Sequence, residues 1–104
     1  ANAKKYRVSI SKGNLKVGKF KVTFSDKAEK YLDSLSDDVF YFIVDKCKLL
    51  EDSPMPDGKH IKKLKGYKNL YRLRAGDYRI VFEWNNLEVN IARILTRQEF
   101  GKRY

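Results

Sequence analysis

Four arginines and a run of lysines in the second half of the chain have the types and spacing to grip a phosphate. Arg72 and Arg74 stand two apart in a β-patterned run and so share one face of it. Arg79 follows Tyr78 in the next run, YRIVF, where alternation sets it opposite Tyr78, Ile80 and Phe82. It should therefore leave the core side and face the open sheet. Arg97 ends the last such run. An arginine's planar fork matches two phosphate oxygens and stays charged at any physiological pH. Lys62, Lys63 and Lys65 precede these runs and suit the backbone of a nucleic acid, where binding depends on salt. Metal chemistry finds little support. The chain has one histidine, His60, and one cysteine, Cys47, and no carboxylate spacing suits an ion. Cys47 falls inside an apolar helical pattern and reads as core filler.

The charge distribution says which end of the molecule meets a polyanion. The net charge is +10, yet residues 25–58 carry four basic and nine acidic groups. Residues 1–24 carry seven basic groups and no acid, and residues 59–104 carry twelve basic against four acidic. An acidic middle is thus flanked by basic segments, and concentrated positive charge attracts polyanions. Apolar residues make up 42% and charged residues 35% of 104, which fits one globular domain with a modest core. There is no apolar run of membrane-spanning length and no signal-peptide pattern. The single cysteine allows no internal disulfide, so a cytoplasmic protein is expected.

The elements that must position these residues follow from periodicity. Residues 17–24 alternate, with Phe20, Val22 and Phe24 on one face of a strand. Residues 1–16 form a basic extension, either an extra strand at Tyr6–Ser11 or a frayed arm. Ser25 or Asp26 caps a helix whose Ala28, Tyr31, Leu32 and Leu35 share a face. Ser36-Asp37-Asp38 starts a second helix that carries Phe40, Ile43, Cys47 and Leu50, and Asp52-Ser53-Pro54 stops it. A basic loop or short edge segment, 55–69, leads to strands at 70–74, 78–84 and 87–96. The turns are Ala75-Gly76-Asp77 and Asn85-Asn86. Residues 97–104 read as a polar tail. The expected fold is α+β, a helical hairpin on one face of a small antiparallel sheet in the order β-α-α-β-β-β.

This order, with LLEDSP, KKLKG, LYRLRAGDYRIVFE and VNIARILTR in sequence, resembles the RelE/ParE superfamily of toxins from type II toxin–antitoxin pairs. The resemblance runs from about Lys19 to Arg97. It implies one of two activities. RelE-like members cleave messenger RNA in the ribosomal A site, and ParE-like members poison DNA gyrase without a nuclease site. For the first branch the resemblance implies an endoribonuclease with no cofactor. The substrate's 2′-hydroxyl attacks the adjacent phosphate, giving a cyclic phosphate and a 5′-hydroxyl. It places a phosphate-gripping arginine at Arg79 and a residue serving the transition state at Arg97. It places Arg72 where a RelE-type member has a catalytic lysine. Arginine cannot replace that lysine as a base, but it can bind phosphate. Arg74 joins Lys62, Lys63 and Lys65 as an RNA contact.

The family's tail commonly reads Arg-x-x-x-Tyr, with the tyrosine stacking on a base or moving a proton. Here that spacing lands on Gly101, in RQEFGKRY. Either the terminal Tyr104 takes the role, or the chain is a disarmed, nucleic-acid-binding relative. The implied partners are a cognate antitoxin, messenger RNA and ribosomal RNA, with no membrane.

Overall fold

Two serines start the helices of the acidic middle. Ser25 accepts the Ala28 N–H and opens α1 (Asp26–Asp33), and Ser36 accepts the Val39 N–H and opens α2 (Asp37–Lys48). Each serine satisfies an amide that a helix start leaves orphaned, and the acids of each first turn complement the helix dipole. A 3₁₀ turn, Leu49–Glu51, ends α2 ahead of Pro54. The computed structural model describes residues 19–104, so the expected strand or arm at 1–16 lies outside the described residues.

Five strands form one sheet: β1 (Lys21–Phe24), β2 (Ile61–Lys63), β3 (Leu70–Ala75), β4 (Tyr78–Asn85) and β5 (Glu88–Thr96). Their spatial order is β1-β5-β4-β3-β2. The fold is α+β with the expected antiparallel meander β3-β4-β5, but the whole sheet is mixed rather than antiparallel. β1 runs parallel to β5, because the helical hairpin returns the chain across one face before the meander begins. The basic segment supplies the edge strand β2, paired with β3. Residues 97–104 are a second correction. Arg97–Arg103 form a third helix, α3, where only a polar tail was expected. A capping box causes it. Thr96 accepts the Glu99 N–H at 3.1 Å, and the Glu99 carboxylate accepts the Thr96 N–H at 2.8 Å.

The two helices bury Ala28, Leu32, Phe40, Ile43 and Cys47 against Val22, Leu73, Ile80, Phe82, Val89 and Ile91 of the sheet. Cys47 is fully buried, and burial pushes its thiol far above its ordinary pKa, as suits core filler. A bulge between Val81 and Phe82 pairs Val81 with Arg93 and Phe82 with Ile91. That shift lets both Ile91 and Ile94 reach the core. Among the described residues, no helix is long and apolar enough to cross a membrane.

One polar group is buried at a cost. Glu51 is 2% exposed, and its Oε2 has no hydrogen-bond partner among the described residues. Burial pushes the Glu51 carboxyl above its usual range, and nearby Lys48 offsets this only in part. A carboxyl raised on folding favours the native state while protonated, so that stability is lost as pH rises through the folded pKa. Glu51→Gln should therefore raise the melting temperature at neutral pH. The gain over wild type should shrink as pH falls toward about 4, where glutamate is itself protonated.

Candidate nucleic-acid interface

The sheet has a second face, turned away from the two helices, and the candidate arginines collect there. Strand register sets them in rows. Arg72 is paired with Lys62 on one side and Val81 on the other, and Val81 with Arg93. In the next row Arg74 pairs with Arg79, and Arg79 with Leu95. Side chains directly opposite on neighbouring strands stand roughly 5 Å apart at Cβ. α3 packs against β5 and β4 and crosses this face, carrying Tyr104 to the far side of the sheet. Val81 and Leu95 are buried on it, apart from the main core.

Arg79 corrects the expectation of an open-sheet residue. It does leave the core side, but it is only 8% exposed. Its Nη1 donates to the Gly76 carbonyl at 2.8 Å and the Tyr78 carbonyl at 2.9 Å. These are neutral acceptors, so they fix the guanidinium without cancelling its charge. Burial lowers the Arg79 pKa first, and Arg74 and Arg97 lower it further, while Asp77 opposes them. Arg72 is lowered by burial and then by Arg79 and Arg74. Arg72 and Arg79 therefore each feel the charge of neighbouring arginines. An arginine still remains ionised under such shifts, so the group stands as concentrated positive charge that an anion would relieve.

Among the described residues, backbone carbonyls rather than carboxylates hold the Arg72 and Arg79 side chains. The two-residue turn Gly76-Asp77 joins β3 to β4, and Gly76 has φ +59°, a conformation that suits glycine. The same turn accepts the Arg97 N–H on the Asp77 carbonyl at 2.7 Å, which anchors the start of α3. Arg72 is held from the other side, with Nη1 donating to the His60 carbonyl at 3.2 Å and more weakly to Lys59 at 3.4 Å. Asp57 shapes that loop. Its Oδ1 accepts the N–H groups of Lys59, His60 and Ile61, which hold its carboxyl well below the usual range. The exposed His60 ring leans on Asp57 Oδ2 at 3.3 Å, so the carbonyl of His60 rather than its imidazole serves the cluster.

Tyr104 reaches the Arg72 end of the face. It stacks on Phe100 at 5.1 Å between ring centroids and meets Tyr67 at 5.6 Å. These three rings line a cavity of about 250 Å³ with Lys62, Lys65 and Arg72. Lys63 also lines it, with its Nζ donating to the Tyr67 carbonyl at 2.9 Å. The expected site residues thus fall into two adjoining groups. Arg74, Arg79 and Arg97 gather at the turn, and Lys62, Lys63, Lys65 and Tyr104 surround the cavity, with Arg72 common to both. Tyr67 was missed, because in GYKN it reads only as part of a turn. Gly101 is exposed on α3, and nothing lies within 4 Å of where its Cβ would stand. A larger cavity of about 540 Å³ opens beside α3, between α1 and β5, and includes Lys27, Lys30, Arg93 and Arg103. Among the described residues no group of three His, Cys, Asp or Glu could hold a metal ion.

A single sheet with a helical hairpin on one face and an arginine group on the other is the architecture of a small toxin of the RelE/ParE type, and comparison with known proteins agrees. Residues 22–99 match the family described as ParE toxin of the type II toxin–antitoxin system parDE, and the chain belongs to that family. The chain is 30% identical to the toxin of the RelB–RelE complex from Methanococcus jannaschii, covering 79% of this chain and 98% of that one, with a TM-score of 0.63. For the archaeal RelE–RelB complex from Pyrococcus horikoshii the values are 28%, 76%, 96% and 0.63. The RelBE2 complex of Mycobacterium tuberculosis shares the fold at 22% identity and a TM-score of 0.66, over 78% of this chain and all of that one. Toxin RelE3 of Methanocaldococcus jannaschii is 50% identical over 38 residues, a stretch covering 36% of this chain and 43% of that protein.

The turn makes a sharp prediction. A Cβ on Gly76 would sit 3.3 Å from two ring atoms of Phe42 and would strain the positive φ. Gly76→Ala should cost more than about 1 kcal/mol of stability in chemical denaturation. It should also increase hydrogen exchange at the Arg97 amide, which the turn accepts.

Proposed function

We propose that this chain is the toxin of a type II toxin–antitoxin pair and cuts messenger RNA on the ribosome without a metal. The observation that carries this reading is the arginine group around the Gly76-Asp77 turn, adjoining an aromatic, lysine-rimmed cavity on the same sheet face. In this account the scissile phosphate sits over Arg79, with Arg72 and Arg97 neutralising the charge that grows as the 2′-hydroxyl attacks. Fixed donors aimed at developing charge lower a barrier because they need no rearrangement. Arginine cannot take the 2′-proton. Tyr104 is the proton carrier of the set, and its ring holds the neighbouring base. Lys62, Lys63, Lys65 and Arg74 draw in the RNA backbone, which makes binding salt-dependent.

The same positive charge suits the toxin's regulation. The RelE relatives from Pyrococcus horikoshii and Methanococcus jannaschii were solved in complex with RelB. An antitoxin with an acidic segment would fit the cavity between α1, β5 and α3, where Lys27, Lys30, Arg93 and Arg103 lie beside the apolar Ile94 and Leu95. A gyrase-directed toxin is the second reading, favoured by the ParE description of the matching family.

The test is to add purified protein to a translating extract and map message ends by primer extension. The nuclease reading predicts discrete cuts within codons. It predicts that Arg79→Ala slows cutting about a hundredfold to a thousandfold, the usual loss for one fixed donor. Arg79→Lys, which keeps charge and bulk, should recover only part of the rate. Silence of the wild type would call for Gly101→Tyr, a change the open space at that position accepts. Cuts gained then mean a toxin disarmed at position 101. Continued silence with loss of DNA supercoiling by gyrase would favour the second reading.

A further inference from the structure

We infer that Tyr67, in the loop between β2 and β3, is a nucleotide-binding residue, the outer wall of a slot that takes one RNA base against Tyr104. The inference rests on the nuclease reading only in taking the ligand to be single-stranded RNA. Three features of the site point to it. First, the rings are arranged as a wedge. Phe100 backs one side of Tyr104 as a near-parallel stack, 24° between planes, and so stiffens it. Tyr67 stands 5.6 Å from Tyr104 with its plane tilted by 58°. A base stacked on both rings needs them roughly 7 Å apart, two contact distances of about 3.5 Å. The wedge falls about 1–2 Å short of that and its rings are tilted, so Tyr67 must both move outward and turn to face Tyr104.

Second, Tyr67 is free to make that adjustment. It is 42% exposed, so solvent rather than packing borders much of the ring. Its neighbour Gly66 has φ +82° and nothing within 4 Å of a Cβ, so the loop is not locked by packing at that point. The Lys63 bond to the Tyr67 carbonyl tethers the backbone of the loop, while the ring itself rests on Tyr104 alone among the aromatic rings of the described residues.

Third, the surroundings carry charge of one sign. Lys62, Lys65 and Arg72 line the same cavity. Aromatic rings set in a cationic rim are what single-stranded nucleic acid requires, since the rings take bases and the cations follow the backbone. At about 250 Å³ the cavity falls below the roughly 300–1,000 Å³ of pockets for larger ligands, which suits a single planar heterocycle.

The experiment measures binding of a short fluorescein-labelled RNA whose 2′-positions are all methylated, so that it cannot be cut. Anisotropy titrations at several salt concentrations compare wild type with Tyr67→Leu, Tyr67→Trp and Lys62→Ala. Leucine keeps apolar bulk against Tyr104 but offers no ring face. We expect Tyr67→Leu to bind about five- to a hundredfold more weakly, the range for one lost base stack, with the salt slope unchanged. Tyr67→Trp should bind at least as well as wild type, and RNA should quench the new indole. Lys62→Ala should lower the salt slope by about one. Equal affinity of the leucine and tryptophan variants, or no quenching, would overturn the inference even if the wild type cuts messages. Tyr67-dependent binding by a protein that never cuts would leave the slot standing and remove only the nuclease reading. No binding by the wild type would overturn the slot, whereas the nuclease reading falls only if messages stay uncut in the translating extract.

Discussion

Like charges placed side by side repel, and the second face of this sheet is built around managing that repulsion. Arg74 and Arg79 lie directly opposite one another on adjacent strands, a pairing that ordinarily destabilises a sheet. The fold tolerates it by giving Arg79 to backbone carbonyls at the Gly76-Asp77 turn and Arg72 to the carbonyl of His60. Partners of opposite charge would have stabilised the group more, and would also have spent its attraction for an outside anion. The turn is thus the hinge of the architecture. It closes β3 on β4, fixes the buried guanidinium and anchors the first residue of α3.

α3 divides the positive surface in two. On one side lie the arginine group and the aromatic cavity. On the other lies the larger cavity against α1, with its own lysines and arginines. The helix buries no residue fully and is held by its capping box, the Asp77 carbonyl and the ring stack of Phe100 and Tyr104. Such an element sits at the low end of local stability. A partner that competes for its seat would disturb both cavities at once, which offers a physical route from antitoxin binding to silencing.

Much of this was legible in the chain. Serine caps and helical spacing gave both core helices, and period-two alternation gave the meander and the face that Arg72, Arg74 and Arg79 share. What alternation could not say is how deeply Arg79 is buried, because that depends on α3 covering the face. α3 was itself readable in TRQE, a capping-box sequence, but its charge density gave it the look of a polar tail. The parallel placement of β1 beside β5 is a matter of topology, which local pattern does not encode. Tyr67 escaped notice for a similar reason. It is separated from Tyr104 by 37 positions in sequence, and only the fold brings the rings together.

If the arginine group promotes attack by the substrate's own 2′-hydroxyl, the chemistry of the cut ends must record it. A message cut by the wild-type protein in the presence of a metal chelator would have its ends identified, alongside a message carrying one 2′-deoxynucleotide at the cut position. Attack by the 2′-hydroxyl leaves a 2′,3′-cyclic phosphate and a 5′-hydroxyl, is insensitive to the chelator, and fails at the deoxy position. A 5′-phosphate end, or cutting that survives loss of the 2′-hydroxyl, would contradict it.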